Sequence, residues 1–525
     1  MPKYKDYKQG QQTSLFPINI SDLIGEDHLV RQIDSVIEQI NMSSFQGIFA
    51  DRGASSYHPK MMLKVISYAY ATKNFSSRTI AAMLRQDVTY MWLSGMQQPD
   101  FNTINRFRSV YLKDVLEEVF TQVLLFLREH EYITFENYFV DGTKIEADAG
   151  KYTHVWRKNA ERYKASAQER VKELLREIDQ LNAEEDLQFG DSDLPQFGEN
   201  GKPGSEEIKE AANSINEILK SKQQEISRKS VNKINSRVRK LEEEKGKIEK
   251  YENQQTLLGN RNSYSKTDPG ATMMRMKGSD ELRPGYNWQV SSENQFVTNY
   301  SVSQNASDVA DFPEHLEKVA QRGERFIPDN YIGDAGYGSE ENYEALEDKK
   351  INNYMKYSTY HTEQSKKHKA NIFHKDNFTY DRDDDSYTCP NKKRLTYRET
   401  VEQYTQNGYK RMMRKYEGEN CQGCPLKSEC TKSKGNRTIG VSVKWEEYKK
   451  QAKFNLESEK GWQLRKKRGW EIETFFGDLK HNLGYKRCRL RSKEKANIEL
   501  AWLSISYNLR KLSQKRLNAQ VNQKN

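Results

Sequence analysis

The spacing of apolar and polar residues takes three different characters along the chain. Between residues 20 and 132 its period is helical. "DHLVRQIDSVIEQI" repeats apolar positions every three or four residues behind an acidic start suited to a helix N-terminus. "HPKMMLKVISYAYATKN" sets Pro59 near a helix start and carries a broad apolar face. In the next stretch, Ser76 or Ser77 can cap one helix and Asp100 or Asn102 another. The second of these bears Asn105, Arg106 and Arg108. That pattern predicts a helix-turn-helix reader of DNA or an ordinary helical bundle with the same caps.

From 154 to 256 the pattern is long, charged and nearly free of aromatic residues. Two segments, beginning at "RKNAERYK" and "EEIKEAAN", flank the loop "FGDSDLPQFGENGKPGS". They predict a helical hairpin, an antiparallel coiled coil that grips DNA, joins a second subunit or stands as a solvated arm.

Beyond the hairpin the period becomes two. "RPGYNWQVSSE" and "QFVTNYSVSQN" predict paired strands, and "ASDVADFPEHLEKVAQRG" a capped helix. "FIPDNYIGDAGYGSEENYEALEDKK" reads as strand, turn and helix, and "INNYMKY" as a strand. With a first strand at Tyr138 to Thr143, this order predicts a mixed α/β fold. It is that of an RNase H-like core with a mixed five-stranded sheet, a helical N-terminal domain and insertions. The expected divisions are 1–132, helical and a candidate DNA-binding domain; 133–153, the first core strand; and 154–262, the helical arm. They continue with 263–357, the core; 358–457, a Cys-rich insertion; and 458–525, basic C-terminal helices of the core.

Charge sharpens this picture. The chain of 525 residues has a net charge of +10 and a mean hydropathy of −0.99. Between Lys460 and Arg516 lie sixteen Lys/Arg and five Asp/Glu, so the basic character belongs mainly to this segment. It predicts either a solvated helical face or a surface for phosphates. The best apolar run, "VLLFL" at 123–127, is too short for a membrane span. "MPKYKDYKQGQQ" has no apolar core, so a cytosolic address is expected, with cysteines as thiols or metal ligands.

Two expected strands end in an acid, Asp141 in "YFVDGT" and Asp334 in "YIGDAGYG". A lone Asp-Gly is ordinary turn chemistry, but two acids at strand ends of one sheet point to a shared site. A third acid is expected from the basic segment, in "KKRGWEIETFFGDLKHNLGYKR". Glu473 precedes Phe476 and Lys480 by three and seven residues, and Arg468 precedes it by five. A helix salt bridge explains these residues, and so does a metal ligand with Arg468 and Lys480 set on a phosphodiester. Three oxygen ligands without a His pair suit Mg²⁺ or Mn²⁺, and two such ions can serve in-line attack at phosphorus.

Cys389, Cys421, Cys424 and Cys430 fall within 42 residues, with one C-x2-C spacing, while Cys488 stands apart. The four predict a structural Zn²⁺ site stapling an insertion with little apolar content, with His374 as a substitute ligand.

These motifs together resemble those of DDE transposases of bacterial insertion sequences. The matching stretches are "FVDGTKIEADAGKYTHVWRK", "SKTDPGATMMRMKG", "LRPGYNWQ", "YIGDAGYGSEENYEAL" and "EIETFFGDLKHNLGYKRCRLR". The N-terminal "YHPKMMLKVISYAYATKNFSSRTIAAMLRQDVTYMWLSGMQQPDFNTINRFR" is also similar to the helical entry domain of that group. The resemblance implies an RNase H-like core with catalytic acids Asp141, Asp334 and Glu473, with Glu471 a rival for the third. Around that acid the group carries a signature of Tyr, Arg, Glu and Lys. Glu473 and Lys480 keep its spacing, Arg468 lies one residue from the Arg place, and Arg465 and Lys466 stand where the Tyr would be.

The implied activity is cleavage of the element's DNA ends followed by attack of the freed 3′-hydroxyl on target DNA. Implied partners are double-stranded DNA, as terminal repeats and target, and a second copy of the chain, in a bacterial, nucleoid-associated setting. Lys266 and Arg275 in "SKTDPGATMMR" are further candidates for DNA contact, or parts of a structural loop. Two other functions fit the residues: a metal-dependent nuclease without strand transfer, and a non-catalytic DNA-binding protein derived from a transposase.

Overall fold

The computed structural model describes residues 19–45, 56–113, 115–189, 203–221, 228–405 and 407–524. The leading "MPKYKDYKQGQQ" and nearly all of the loop between 189 and 205 lie outside these residues. The fold is mixed α/β and 55% helical. It divides into two compact units, one formed by residues 1–145 with 286–525 and the other by 146–285. No helix of the described residues is long and apolar enough to cross a membrane.

The first unit opens with six helices: α1 (Leu29–Glu38), α2 (Pro59–Ala71), α3 (Ser77–Gln86), α4 (Val88–Ser94), α5 (Phe101–Arg106) and α6 (Leu116–Glu129). α1 is capped by the Nδ1 atom of His28, which accepts from Val30 N, and Asp27 stands just before this cap. The two short helices expected after Phe75 are three, because Asp87 ends α3 and caps α4 through Thr89 N. Asp100 caps α5 through Thr103 N at 2.7 Å. The chain then enters the sheet as β1 (Asn137–Glu146).

The second unit follows with β2 (His154–Trp156), α7 (Arg157–Phe189), α8 (Ser205–Ser221), α9 (Arg228–Leu258), β3 (Ser263–Ser265) and β4 (Thr272–Arg275). Among the described residues the expected hairpin therefore has three helices. Ile208, Ala212, Ile215 and Leu219 on α8 pack with Ile234, Val238, Leu241 and Ile248 on α9 and with Ala167, Val171 and Ile178 on α7. Spacings of three, four and seven residues make one narrow apolar seam per helix, which leaves the other faces charged. β4 pairs with the first residues of β5 (Leu282–Glu293), from Thr272↔Gly285 to Arg275↔Leu282.

Back in the first unit come β6 (Phe296–Ser303), α10 (Phe312–Arg322), β7 (Asn330–Gly338), α11 (Glu340–Asp348) and β8 (Asn352–Tyr357). With β1, β4 and β5, the strands make a sheet of six among the described residues, one more than the five expected, in the order β4-β5-β1-β7-β8 with β6 paired to β5. β5 and β6 are antiparallel, and β1, β7 and β8 run parallel. Glu293, at the end of β5, accepts from the backbone N–H groups of Thr134, Phe135, Glu136 and Asn137, and so fixes where β1 begins.

The chain continues through α12 (Tyr360–Gln364), α13 (Lys366–Ala370), β9 (Thr379–Asp381), β10 (Ser386–Thr388), β11 (Arg394–Tyr404), β12 (Lys410–Gly418), α14 (Lys427–Cys430) and β13 (Thr438–Val441). β9 to β13 form a second, antiparallel sheet in meander order. Its core is small: Phe378, Leu395, Tyr416, Ile439 and Val441.

The last elements are α15 (Val443–Glu457), α16 (Glu459–Gly477) and α17 (Lys493–Lys524). Trp502, Ile505, Leu509 and Leu512 of α17 are buried, and the helix packs on α2 and β6. The Asn508 side chain both donates to Val297 O and accepts from Val297 N, which closes the free edge of β6.

β7 and β8 pair closely at Gly338, opposite Tyr357. A Cβ there would fall 2.4 Å from the Tyr357 Cα and 2.5 Å from the Lys356 carbonyl oxygen. Neither backbone atom can yield cheaply. Gly338→Ala is expected to lower unfolding free energy by about 1–3 kcal/mol, measured by urea denaturation.

Candidate functional site

Asp141 and Asp334 do not end their strands. β1 continues to Glu146 and β7 to Gly338, so both acids lie within hydrogen-bonded strand. The pairs Asn137↔Asn330, Tyr138↔Tyr331 and Phe139↔Ile332 share one offset, and the same offset relates Asp141 to Asp334. Neighbouring strands are about 4.8 Å apart, so these acids stand side by side on adjacent strands. An irregularity in the β7–β8 register, between Gly333 and Gly338, covers Asp334 and Gly336. Such irregularities re-aim side chains.

Two carboxylates so placed repel, and a cation lies between them. Arg468 of α16 places Nη2 at 3.3 Å from Asp334 Oδ2 and 3.7 Å from Asp141 Oδ1. Its Nε is buried without a hydrogen-bond partner. After α16 the helix widens into one π-turn, Asp478–Asn482, which carries Lys480. Lys480 Nζ donates to the hydroxyl of Thr143, two residues past Asp141. Arg465 sits lower on α16, over the Tyr360 ring and bonded to its hydroxyl.

Glu473 is exposed on this same helix. Glu471, its rival, is buried, and its Oε2 accepts from Gln295 N at 2.6 Å. Burial raises its pKa, partly offset by that hydrogen bond and by Lys515 and Lys467. The Glu471 carboxylate is thus committed to the turn between β5 and β6. Among the described residues, one group of three His, Cys, Asp or Glu side chains has ligand atoms all within 4.8 Å of one another. It is His368, His374 and Asp376, and not the three acids.

Two residues that were not anticipated belong to this neighbourhood. Asp308, just before α10, accepts from Asn287 Nδ2 at 2.7 Å and Gln289 Nε2 at 2.8 Å. Its Oδ1 lies 2.5 Å from where a Cβ on Gly142 would stand, and its Oδ2 3.9 Å from one on Gly336. It therefore sits against both acid-bearing strands. In sequence it reads as a helix-start acid, so only the fold exposes it. Lys356 of β8 has its pKa lowered by burial and by Arg465 and Arg468, with Asp334 acting in the opposite sense. Tyr337 reports the same field. Burial first, then Asp308, Asp141, Asp334 and Asp311, push its hydroxyl pKa well up.

The remaining predicted residues lie elsewhere. Arg106 is exposed, over the Tyr111 ring. Arg108 is 3% exposed and donates to Tyr70 Oη, Phe75 O and Asn105 Oδ1, so its guanidinium pins the helices together instead of facing outward as expected. In the second unit, Lys266 is exposed and Arg275 pairs with Asp280 at 2.9 Å. Part of the basic C-terminal segment is spent internally: Arg510 pairs with Asp478, and Lys511 and Lys515 bond Gln295 and Asn294.

Cys389, Cys421, Cys424 and Cys430 line one cavity of the second sheet. Arg437 N donates to Cys421 Sγ and Asn391 Nδ2 to Cys424 Sγ, both at 3.4 Å. Gly423, inside Cys-Gln-Gly-Cys, has a φ of +68°, which lets the chain turn tightly between two of the thiols. Burial raises the Cys430 pKa; Arg437 lowers it, and the other three cysteines raise it further.

Residues 388–513 match the family described as transposase DDE domain, and residues 18–110 that described as transposase domain. Both matches are to transposase domains, consistent with a DDE transposase of insertion sequences. The first match contains Arg468, Glu473, Lys480 and the four clustered cysteines; Asp141 and Asp334 lie between the two matched segments. No curated protein and no solved structure matches the chain.

Asp311 supplies a pH test of the polar layer beneath the acids. Burial lifts its carboxyl to about 7, against hydrogen bonds from Ser303, Asn305 and Asn287, with Asp308 adding to the rise. A folded-state pKa above the unfolded value near 4 means the folded protein holds the proton longer. Stability is then greatest at low pH and is lost between about pH 4 and 7, at about 1.4 kcal/mol per pH unit. Unfolding in chelator should show this slope in the difference between the wild type and Asp311→Asn.

Proposed function

We propose that the chain is a DNA transposase with an RNase H-like catalytic core, using Asp141, Asp334 and Glu473 to cut element ends and join them to target DNA. The carrying observation is the pair Asp141 and Asp334, side by side on parallel strands and bridged by Arg468. The strand order, with an antiparallel hairpin on one side of β1 and two parallel strands on the other, supports the RNase H-like reading. Glu473 is preferred over Glu471 because it is exposed, whereas Glu471 is buried and already bonded.

The donor set fits hard divalent cations: two neighbouring carboxylates, a third on the facing helix and a guanidinium standing where positive charge is needed. Mg²⁺ or Mn²⁺ held by these acids would polarise the scissile phosphodiester and acidify the attacking water or 3′-hydroxyl. Arg468 keeps the two aspartates together before loading and turns to a phosphate oxygen afterwards. Lys480, held near Asp141 through Thr143, binds the adjacent phosphate. Arg465 and Arg106 add contacts to the DNA backbone, Lys266 and Arg275 do so from the second unit, and Arg108 acts by holding the helical domain. Two copies of the chain bring the element's two ends together.

The four cysteines hold structural Zn²⁺. They share one cavity and two of them accept N–H···S bonds, the surroundings of thiolates.

End cleavage and strand joining are assayed with Mg²⁺ on DNA carrying the terminal repeats. Asp141→Asn, Asp334→Asn and Glu473→Gln should each reduce both steps at least about a thousandfold, as loss of a group essential to the chemistry does. Full activity in one variant removes that residue from the site, and cleavage without joining leaves a nuclease. Arg468→Gln removes the guanidinium from between the two aspartates. It should melt at lower temperature in chelator and gain more from Mn²⁺ than the wild type does, in a thermal shift assay.

A further inference from the structure

The closest set of metal-ligand atoms among the described residues is neither the three acids nor the cysteines. It is His368, His374 and Asp376, whose ligand atoms all lie within 4.8 Å of one another. Asp376 Oδ2 is 3.4 Å from His374 Nδ1 and 3.7 Å from His368 Nε2. Zinc binds imidazole nitrogen and carboxylate oxygen at about 2.0–2.2 Å, so ligand atoms of a tetrahedral shell lie roughly 3.3–3.6 Å apart. The observed separations nearly match the edges of such a shell.

A second observation is independent of the spacing. The His368 side chain is 9% exposed, and its Nε2, buried and without a hydrogen-bond partner, is the atom that faces Asp376. An unsatisfied buried polar atom is costly, and a cation at this point would satisfy it. His374 Nδ1 is only weakly held, 3.4 Å from Asp376 N.

The backbone holds the three residues ready. Ser365 caps α13 through His368 N. Asn377 Nδ2 donates to both His368 O and Asn371 O, and His374 N donates to Asn371 O. The charges are also apportioned. Lys375 is 3.3 Å from the other oxygen, Asp376 Oδ1, while Lys375 and Lys449 are both paired with Glu446. Oδ2 is left toward the imidazoles.

We propose that His368, His374 and Asp376 form a second zinc site, separate from the cysteines and independent of the DNA-processing reading. Two neutral imidazoles and one carboxylate suit a borderline cation such as Zn²⁺. The three ligands leave a fourth position for water. The ion joins α13 to the turn before β9, where the chain enters the second sheet.

The full-length protein is stripped with a chelator, dialysed against Zn²⁺ and assayed for bound zinc by elemental mass spectrometry. His368→Gln and the isosteric Asp376→Asn should each hold about one zinc per chain fewer than the wild type, in addition to any loss in Cys421→Ser. Unchanged zinc content in both variants, or loss in His368→Gln of the same zinc that Cys421→Ser loses, overturns the proposal. The first of these results leaves the cluster as a His–Asp ion pair. Should the variants not fold, the wild type decides. Zn²⁺ should slow diethyl pyrocarbonate modification of His368 and His374 about tenfold, read by peptide mass, and an unaltered rate overturns the site.

Discussion

The larger unit of this protein depends on one electrostatic constraint. Two carboxylates, Asp141 and Asp334, are carried on neighbouring parallel strands, two residues beyond the pair Phe139↔Ile332. Positive charge must be supplied between them. Arg468 supplies it, so α16 has to pack across β7 and β8 in one register. Much of the remaining architecture secures that placement. Glu293 fixes the start of β1 through four backbone N–H groups, and Asn508 closes the sheet edge against α17.

Beneath the acids lies a polar layer in which Asn287 Nδ2 bridges Asp308 and Asp311, while Gln289 links Asp308 to Tyr337. Buried carboxylates and amides at this density cost free energy unless each finds a partner, and most of these do. The layer limits how far Asp141 and Asp334 can move, because Asp308 rests against Gly142 and near Gly336. The second sheet solves a different problem. Its five-residue apolar core is small, and four thiols line a cavity beside it where hydrocarbon is scarce.

Where the apolar period was strong, the elements were legible. The β5–β6 hairpin, α10, α11 and β8 stand where alternation and caps put them, while β7 runs past the expected end at Asp334 to Gly338. Where period and burial part company, they were not. β11 is exposed along most of its length and β12 is mostly half-buried, so no clean alternation marks them. The arm reads as two long amphipathic segments, yet forms three helices, since the same heptad spacing serves α8 and α9 alike. Arg108 is indistinguishable in sequence from a surface arginine. Its burial depends on Tyr70 and Phe75, more than thirty residues away.

By itself the sequence determined the residue types and their order: paired acids on strand-forming segments, a third acid in a basic helix, four clustered cysteines, and helices around a mixed sheet. Local periodicity and charge suffice for these, because each is a property of a few adjacent residues. Only the tertiary structure decided which groups meet. It put Arg468 between two aspartates, brought Asp308 and Lys356 beside them, turned Glu471 into the turn after β5, and closed His368 on Asp376. Apart from His368 and Asp376, which meet through a local turn, those outcomes depend on strand register and helix packing, which couple residues far apart in the chain and leave no trace in local spacing.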